Sequence, residues 1–113
     1  MKKIALQDAR SYQASKQFKM AALRLHGKEE SGSQSFWVGL LHYLPGGGSE
    51  FDASPSEKVY FVLEGEINVR GESGETVILH PWDSIYIKAF EGKQIVNATN
   101  RPASLLVITN YTD

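Results

Sequence analysis

Residues 46–65 constrain the fold of this chain more than any other stretch of its sequence. Three glycines at 46–48 lead through a polar segment into the apolar run Val59–Leu63, which ends at Glu64-Gly65. A second short run, Ile67–Arg70, follows at once, so the two runs together predict a β-hairpin. A polar loop that leads into a buried strand at the mouth of a β-barrel is a common position for a small-molecule site.

Short apolar runs separated by turn residues continue along the chain, with little helical periodicity. Asp8–Gln17 is the one segment that suits a helical turn, unless it is an extended arm. Eight or so strands without crossover helices exclude a parallel α/β fold and predict an all-β sandwich or small barrel. The predicted strands are Lys3–Leu6, Phe18–His26, Ser35–Leu44, Val59–Leu63, Ile67–Arg70, Thr76–His80, Ser84–Lys88, Lys93–Ala98 and Ser104–Thr109.

Composition limits the class of protein and its partners. A chain of 113 residues with 42% hydrophobic residues suits one globular domain. Twelve basic and thirteen acidic side chains give a formal charge of −1, which does not suggest a nucleic-acid or membrane partner. The absence of cysteine excludes disulfides and thiolate chemistry. Without a secretory signal or a membrane-length apolar run, we expect a cytoplasmic protein.

The spacing within residues 46–65 resembles the first motif of the cupin superfamily, G-x5-H-x-H-x3,4-E-x6-G. Gly46 and Gly65 take the positions of the outer glycines, Pro55 follows the position of the second histidine, and the ending VYFVLEGE is typical of the family. The second motif is kept only at Asp83, in the strand that follows it, and at Asn97.

The resemblance covers roughly residues 36–109 and implies a cupin-type double-stranded β-helix, or jelly-roll barrel. We therefore expect residues 1–113 to form a single barrel domain. Residues 18–113 would make the barrel, and residues 1–17 an N-terminal arm or edge strand. The family also implies a homodimer, and the apolar segments Phe36–Leu41 and Leu105–Ile108 suit contact with a second copy.

The metal ligands of the family, carried over position by position, become Asp52, Ser54, Lys58 and Lys93. A protonated lysine has no lone pair to give, and its charge repels a cation. Serine is a poor ligand for transition metals. We therefore expect no metal and no other cofactor at this site.

The histidines do not replace these ligands, because none of the three has the spacing of a paired-ligand motif. His42 alternates with Val38, Leu40 and Leu44, which places it on an apolar face. We interpret it as a core histidine and keep it as a candidate ligand contact.

Strand alternation places Lys58 on a face with Tyr60 and Val62, and Lys93 on a face with Asn97. In the cupin register both lysines would point into the cavity beside Asp52 and Ser54. Two neighbouring ammonium groups in a partly dry pocket lower each other's pKa, while Asp52 opposes this effect.

Three interpretations of the lysines follow. In a structural one, Lys58 pairs with Asp52 or Glu57. In a second, the pocket binds an anionic small molecule, a carboxylate or sugar-like compound, with Asp52, Ser54, Tyr60, Tyr86, Asn97 and His42 as further contacts and Trp37 as another aromatic wall.

In the third interpretation Lys58 and Lys93 are catalytic and perform metal-free isomerase or lyase chemistry. A non-catalytic ligand sensor and a metal-dependent enzyme with rebuilt ligands remain as alternatives.

Overall fold

Nine β-strands form most of the protein in the computed structural model, which describes residues 1–112. All pairings between them are antiparallel. The strands are β1 (Arg10–Ser11), β2 (Gln17–His26), β3 (Phe36–Ser49), β4 (Lys58–Glu64), β5 (Ile67–Gly71), β6 (Thr76–Leu79), β7 (Ser84–Ile87), β8 (Lys93–Val96) and β9 (Ala103–Asn110).

The long strand β3 joins the two parts of the sheet. Its first part pairs with β9 from Phe36 to Tyr43, and Gly48 near its end pairs with Val96 of β8. Seven strands follow the order β6-β5-β8-β3-β9-β4-β7, and β2 branches from it by pairing along β3, with β1 on its other edge. The sheet therefore wraps into an almost closed jelly-roll barrel, and the predicted all-β class is confirmed.

Alternation along the strands decides which side chains form the core. On β4 and β9, Tyr60, Val62, Leu105 and Val107 are buried, whereas their outward neighbours are more exposed. Tyr43 of β3 is fully buried, and its hydroxyl donates a hydrogen bond of 2.5 Å to Oε1 of Gln17. Each fully buried apolar side chain contributes about 1.5–3 kcal/mol to folding, so this inward face holds the barrel together.

The predicted end of a strand at Leu44 is wrong, because β3 continues through the glycines to Ser49. Gly46 adopts a φ of +79°, which bends the strand without a Cβ penalty. A Cβ at Gly48 would overlap the carbonyl oxygen of Ile95. The glycines therefore allow close approach of neighbouring backbones rather than ending the strand.

The N-terminal segment differs most from its prediction. Lys3–Leu6 does not form a strand, and Leu6–Asp8 is a short 3-10 helix. Of the two forms predicted for Asp8–Gln17, a helical turn or an extended arm, the structure has the extended one: β1 pairs with β2, where Arg10 lies opposite Arg24. The free edge of β2 offers unpaired backbone groups, which explains why this polar segment becomes extended.

The eight other predicted strands are confirmed, with ends that differ by a few residues. One turn of helix, α1 (Lys28–Ser31), lies between β2 and β3, although the sequence indicated a possible helical turn only at Asp8–Gln17. No helix within residues 1–112 has the length and apolar character needed to cross a membrane.

Candidate functional site

A cavity of about 300 Å³ opens at one end of the barrel. The segment between β1 and β2 forms one wall, and strands β2, β3, β4, β8 and β9 form the others. Four basic and two acidic side chains line it, namely Lys16, Arg24, Lys58, Lys93, Glu50 and Asp52. Aromatic walls come from Tyr12, Trp37 and Tyr60.

The three charged residues of the predicted site meet in this cavity through strand geometry, together with the predicted aromatic residues Tyr60 and Trp37. Lys58 begins β4 and lies opposite Thr109 of β9, which also lines the cavity. Lys93 begins β8 and forms an antiparallel bridge with Asp52. Two backbone hydrogen bonds of 3.0 Å join this pair, one in each direction. Asp52 and both lysines therefore line the same space.

Asp52 already has a cationic partner, which sequence reasoning missed. Nζ of Lys16 donates a hydrogen bond to Oδ1 of Asp52 at 3.0 Å. The same segment is held again by the backbone, because the amide of Glu50 donates to the carbonyl of Lys16. The hydrogen bond from Lys16 lowers the pKa of the Asp52 carboxyl, although partial burial opposes this effect. Asp52 is therefore a stable carboxylate at neutral pH.

Lys58 and Lys93 have no such partner in the part of the chain that the structure describes. Among residues 1–112, no carboxylate lies within 4.0 Å of either ammonium, and neither side chain makes a hydrogen bond. The predicted pair between Lys58 and Asp52 or Glu57 is thus absent. Asp52 binds Lys16, and the carboxylate of Glu57 accepts a hydrogen bond from Tyr86.

Burial changes the acidity of both lysines. Desolvation lowers the pKa of Lys58, and the charge of Asp52 opposes this effect. Lys93 is only 7% exposed. Desolvation and the nearby charge of Lys58 together lower the pKa of Lys93 to about 8. At pH 7 roughly a tenth of Lys93 would be neutral, so this side chain can both give and accept a proton near neutral pH.

The side chains at the metal-ligand positions of the sequence motif do not fit a transition metal. Two of the four are lysines, and the single carboxylate is bound to Lys16. Nowhere within residues 1–112 do three or more His, Asp or Glu side chains cluster in a way that could hold a metal ion. The chemistry of this donor set suits an anion better than a cation.

Arg24 is a further cavity residue that sequence reasoning missed. Its guanidinium carbon lies 4.3 Å from the ring centroid of Tyr12 and 4.1 Å from that of Trp37. The two rings stand almost perpendicular, with centroids 5.6 Å apart. Strand alternation along β2 could have predicted its inward position, because Arg24 lies two residues after the buried Ala22 and therefore on the same face.

Two predicted contacts, Ser54 and Tyr86, lie outside the cavity. The hydroxyl of Ser54 is 3.1 Å from that of Ser56, within its own loop. Tyr86 is 58% exposed on the outer surface, where its hydroxyl donates to Glu57 at 3.0 Å. Tyr86 lies opposite Val59 in the β4–β7 pair, and Val59 points outward, so alternation turns the tyrosine away from the barrel interior.

Asn97 and His42 also lie away from the cavity. Asn97 is completely buried and closes the turn after β8, since its side-chain amide donates to the carbonyl of Arg101 at 2.8 Å. His42 points to the outer face of β3, where Nδ1 is 2.7 Å from the hydroxyl of Ser104. The prediction of a core histidine is therefore wrong, because the inward positions of this part of β3 belong to the buried Leu41 and Tyr43.

Comparison with known proteins identifies the family. Residues 39–109 match the sequence profile of the Cupin domain family. This chain belongs to the cupin family. The matched segment contains β4 and β8, which carry Lys58 and Lys93 of the cavity.

A Mycobacterium tuberculosis protein named beta-D-galactosidase is a cupin relative over almost the whole chain. The two sequences are 39% identical over 108 residues, which cover 95% of this chain and 91% of the relative.

Two solved structures share the fold at lower identity. One is the polyketide cyclase RemF from Streptomyces resistomycificus, with a TM-score of 0.87 and 19% identity over 97% of this chain and 79% of that one. The other is a cupin described as a sugar phosphate isomerase from Silicibacter pomeroyi, with a TM-score of 0.82 and 24% identity over 98% of this chain and 76% of that one. At these identities the likeness concerns the cupin fold alone.

Proposed function

We propose that this cupin binds an anionic small molecule, a carboxylate or sugar-like compound, through Lys58 and Lys93 and without a metal ion. The observation that carries the proposal is the pair of lysines in one cavity with no anionic partner among the described residues. A buried charge is costly unless it is paired. An anionic ligand would provide the missing partner.

The charge balance of the cavity supports this proposal. Four basic side chains face two acidic ones, and Asp52 is already satisfied by Lys16. Glu50 is exposed at the rim. The inner cavity therefore carries an excess of positive charge, which attracts anions and repels cations.

The acidity of Lys93 also supports metal-free catalysis of the isomerase or lyase type. A lysine with a pKa of about 8 can remove a proton next to a carbonyl and return it at another carbon. The ammonium form of Lys58 would stabilise the negative oxygen that develops. A ligand sensor would use the same contacts without the proton transfer, so turnover separates the two roles.

A thermal-shift screen of carboxylates and sugar phosphates tests the proposed pocket. A ligand that binds the folded state raises the melting temperature. We expect Lys58→Met and Lys93→Met to remove the response, and Lys88→Met, at an exposed position outside the cavity, to keep it. Hits that persist in both cavity variants would contradict the proposal. Elemental analysis covers the metal-dependent alternative, since about one transition metal per chain would contradict binding without a metal.

Hydrolysis of a galactoside is a second candidate, favoured by the relative named beta-D-galactosidase. In this scheme the Lys93 ammonium gives its proton to the glycosidic oxygen as the bond from that oxygen to the anomeric carbon breaks. The Asp52 carboxylate takes a proton from the attacking water, which forms the new bond to that carbon. Proton exchange with solvent then restores both side chains.

Release of nitrophenol from p-nitrophenyl β-D-galactopyranoside tests the second candidate. Asp52→Asn should lower the rate at least about 100-fold, because general acid–base groups contribute at least that much. Glu64→Gln, an exposed carboxyl at the end of β4, is the control and should leave the rate unchanged. No release above the buffer rate would exclude this activity.

We further propose that a second copy of the chain covers the outer face of β3, β9 and β4. Phe36 and Ile108 on this face are exposed apolar side chains, 49% and 39% accessible, and they line one shallow apolar groove with Val59. An exposed apolar sheet face of this kind supports self-association into a homodimer.

A further inference from the structure

The aromatic corner formed by Tyr12 and Trp37 holds Arg24 in a defined position. The guanidinium carbon lies over both rings, which are perpendicular to each other, so two sides of the cation are covered. Cation–π contacts of this type fix a guanidinium without using its N–H donors. Arg24 therefore keeps its hydrogen-bonding capacity for another group.

No group of residues 1–112 forms a hydrogen bond or an ion pair with the guanidinium. Nε of Arg24 is buried without a hydrogen-bond partner, and no carboxylate of residues 1–112 lies within 4.0 Å of the guanidinium. Glu29 and Glu30 line a second surface cavity with Arg24, but neither forms an ion pair with it. An arginine that is held in place and lacks an acceptor is suited to bind a carboxylate or phosphate in a bidentate manner.

Arg24 lines the same cavity as Lys58 and Lys93 but belongs to a different wall. The lysines stand on β4 and β8, whereas Arg24 stands on β2 beside the N-terminal arm. The cavity volume of about 300 Å³ admits a molecule the size of a six-carbon sugar acid.

We propose that the cavity binds a ligand with two acidic groups, one held by Lys58 and Lys93 and the other held by Arg24 in the aromatic corner. The inference rests on the proposed anion-binding function and narrows its ligand class to sugar-sized diacids. Each acidic group is a carboxylate or a phosphate. Tyr12 and Trp37 position Arg24 and add an apolar wall.

Three matched probes test the second acidic group by isothermal titration calorimetry. Gluconate carries one carboxylate, glucarate has one at each end of the same six-carbon chain, and 6-phosphogluconate has a phosphate at the second end. We expect glucarate or 6-phosphogluconate to bind at least about tenfold more tightly than gluconate, since a hydrogen bond to a charged group contributes that much. The tighter of the two identifies the second group as carboxylate or phosphate.

Variants of Arg24 test whether this residue causes the tighter binding of a diacid than of gluconate. Arg24→Met should remove the advantage of the diacid over gluconate, and Arg24→Lys should lose most of that advantage because lysine lacks the planar fork. Arg70→Met, an exposed arginine on β5 outside the cavity, should change nothing. Circular dichroism of each variant checks that the barrel is folded.

Two results would overturn the inference in different ways. In the first case, gluconate binding depends on the lysines, but Arg24→Met either weakens the binding of all three probes equally or changes none of them. The second subsite is then wrong and the proposed function stands. If none of the probes binds, or the lysine variants bind as the parent does, the proposed function fails and the inference fails with it.

Discussion

Lys93 combines three properties that a purely structural lysine does not need. It is almost fully buried, it has no anionic partner among the described residues, and it lies beside a second ammonium. Each property destabilises the charged form in the folded protein. A methionine of similar length would fill the same space without this cost, so the position suits binding or catalysis better than stability.

Replacing Lys93 should therefore stabilise the protein. The folded pKa of about 8 lies below the ordinary 10.5, so the unfolded chain holds this proton more tightly than the folded one. The free energy of unfolding of the parent should rise as the pH increases from about 8 toward 10.5. Lys93→Met should be more stable at pH 7 by about 1–3 kcal/mol and should show less of this rise.

Urea unfolding at pH 7, 8, 9 and 10 measures this effect. The control is Lys88→Met at an exposed position, which should change the free energy of unfolding by less than about 0.5 kcal/mol. A Lys93→Met protein that is less stable than the parent at pH 7 would show that the ammonium has a stabilising partner, and would contradict the geometry described above.

The glycines at the end of β3 allow this strand to lie close to β8. Gly48 lies against β8, and a Cβ there would overlap the Ile95 carbonyl, which belongs to rigid backbone. Gly48→Ala should separate β3 from β8 and destabilise the protein by more than about 2 kcal/mol. Since Lys93 begins β8, the same change should disturb the cavity.

Gly74→Ala provides the matched control for chemical unfolding. Gly74 has a φ of +83° but open space around its Cα, so alanine there should cost only about 1 kcal/mol through backbone strain. Equal losses in the two variants would mean that β3 and β8 do not approach as closely as described.

Most strands could be predicted because each has its own apolar alternation and turn residues. For residues 1–17 the sequence predicts no more than an arm or an edge strand, since β1 forms by pairing with the edge of β2 and nothing within Arg10–Ser11 itself indicates a strand. The predicted end of β3 at Leu44 is wrong because the local sequence there does indicate a turn. Glycines are usual turn residues, and only the position of β8 shows that they serve close packing here.

The part of the candidate site that depends on local spacing could be predicted, and the part that depends on contacts between distant segments could not. The motif spacing and strand alternation predicted a common cavity for Lys58, Lys93, Asp52 and Tyr60, and all four line it. The Lys16–Asp52 contact joins residues 36 positions apart and depends on how the arm folds over the barrel mouth. The arm was the least predictable element, so the partners it contributes were missed.

At the scale of the whole molecule, the outer face of the barrel carries the proposal of a homodimer. Ile108 pairs with both Val38 and Val59 near the middle of this face. A charge there would be buried between two copies, so Ile108→Lys should convert a dimer into a monomer. Sedimentation equilibrium measures the mass directly.

Ile78→Lys is the matched control for that experiment. Ile78 is also an exposed isoleucine, but it lies on β6, outside the proposed contact face. We expect this variant to keep the mass of the parent. A parent that sediments as a monomer, or a dimer unaffected by Ile108→Lys, would contradict the proposed face.

The pKa of Lys93 is the decisive quantity for anion binding in the cavity. Its ammonium has no anionic partner among the described residues, so a bound anion should change this pKa. NMR titration of lysine-labelled protein, with Lys93→Met to assign the signal, gives this pKa with and without saturating glucarate. We expect a pKa of about 8 in the free protein and a higher pKa when glucarate is bound, because an anion stabilises the ammonium. A pKa near 10.5 that glucarate leaves unchanged would contradict this expectation.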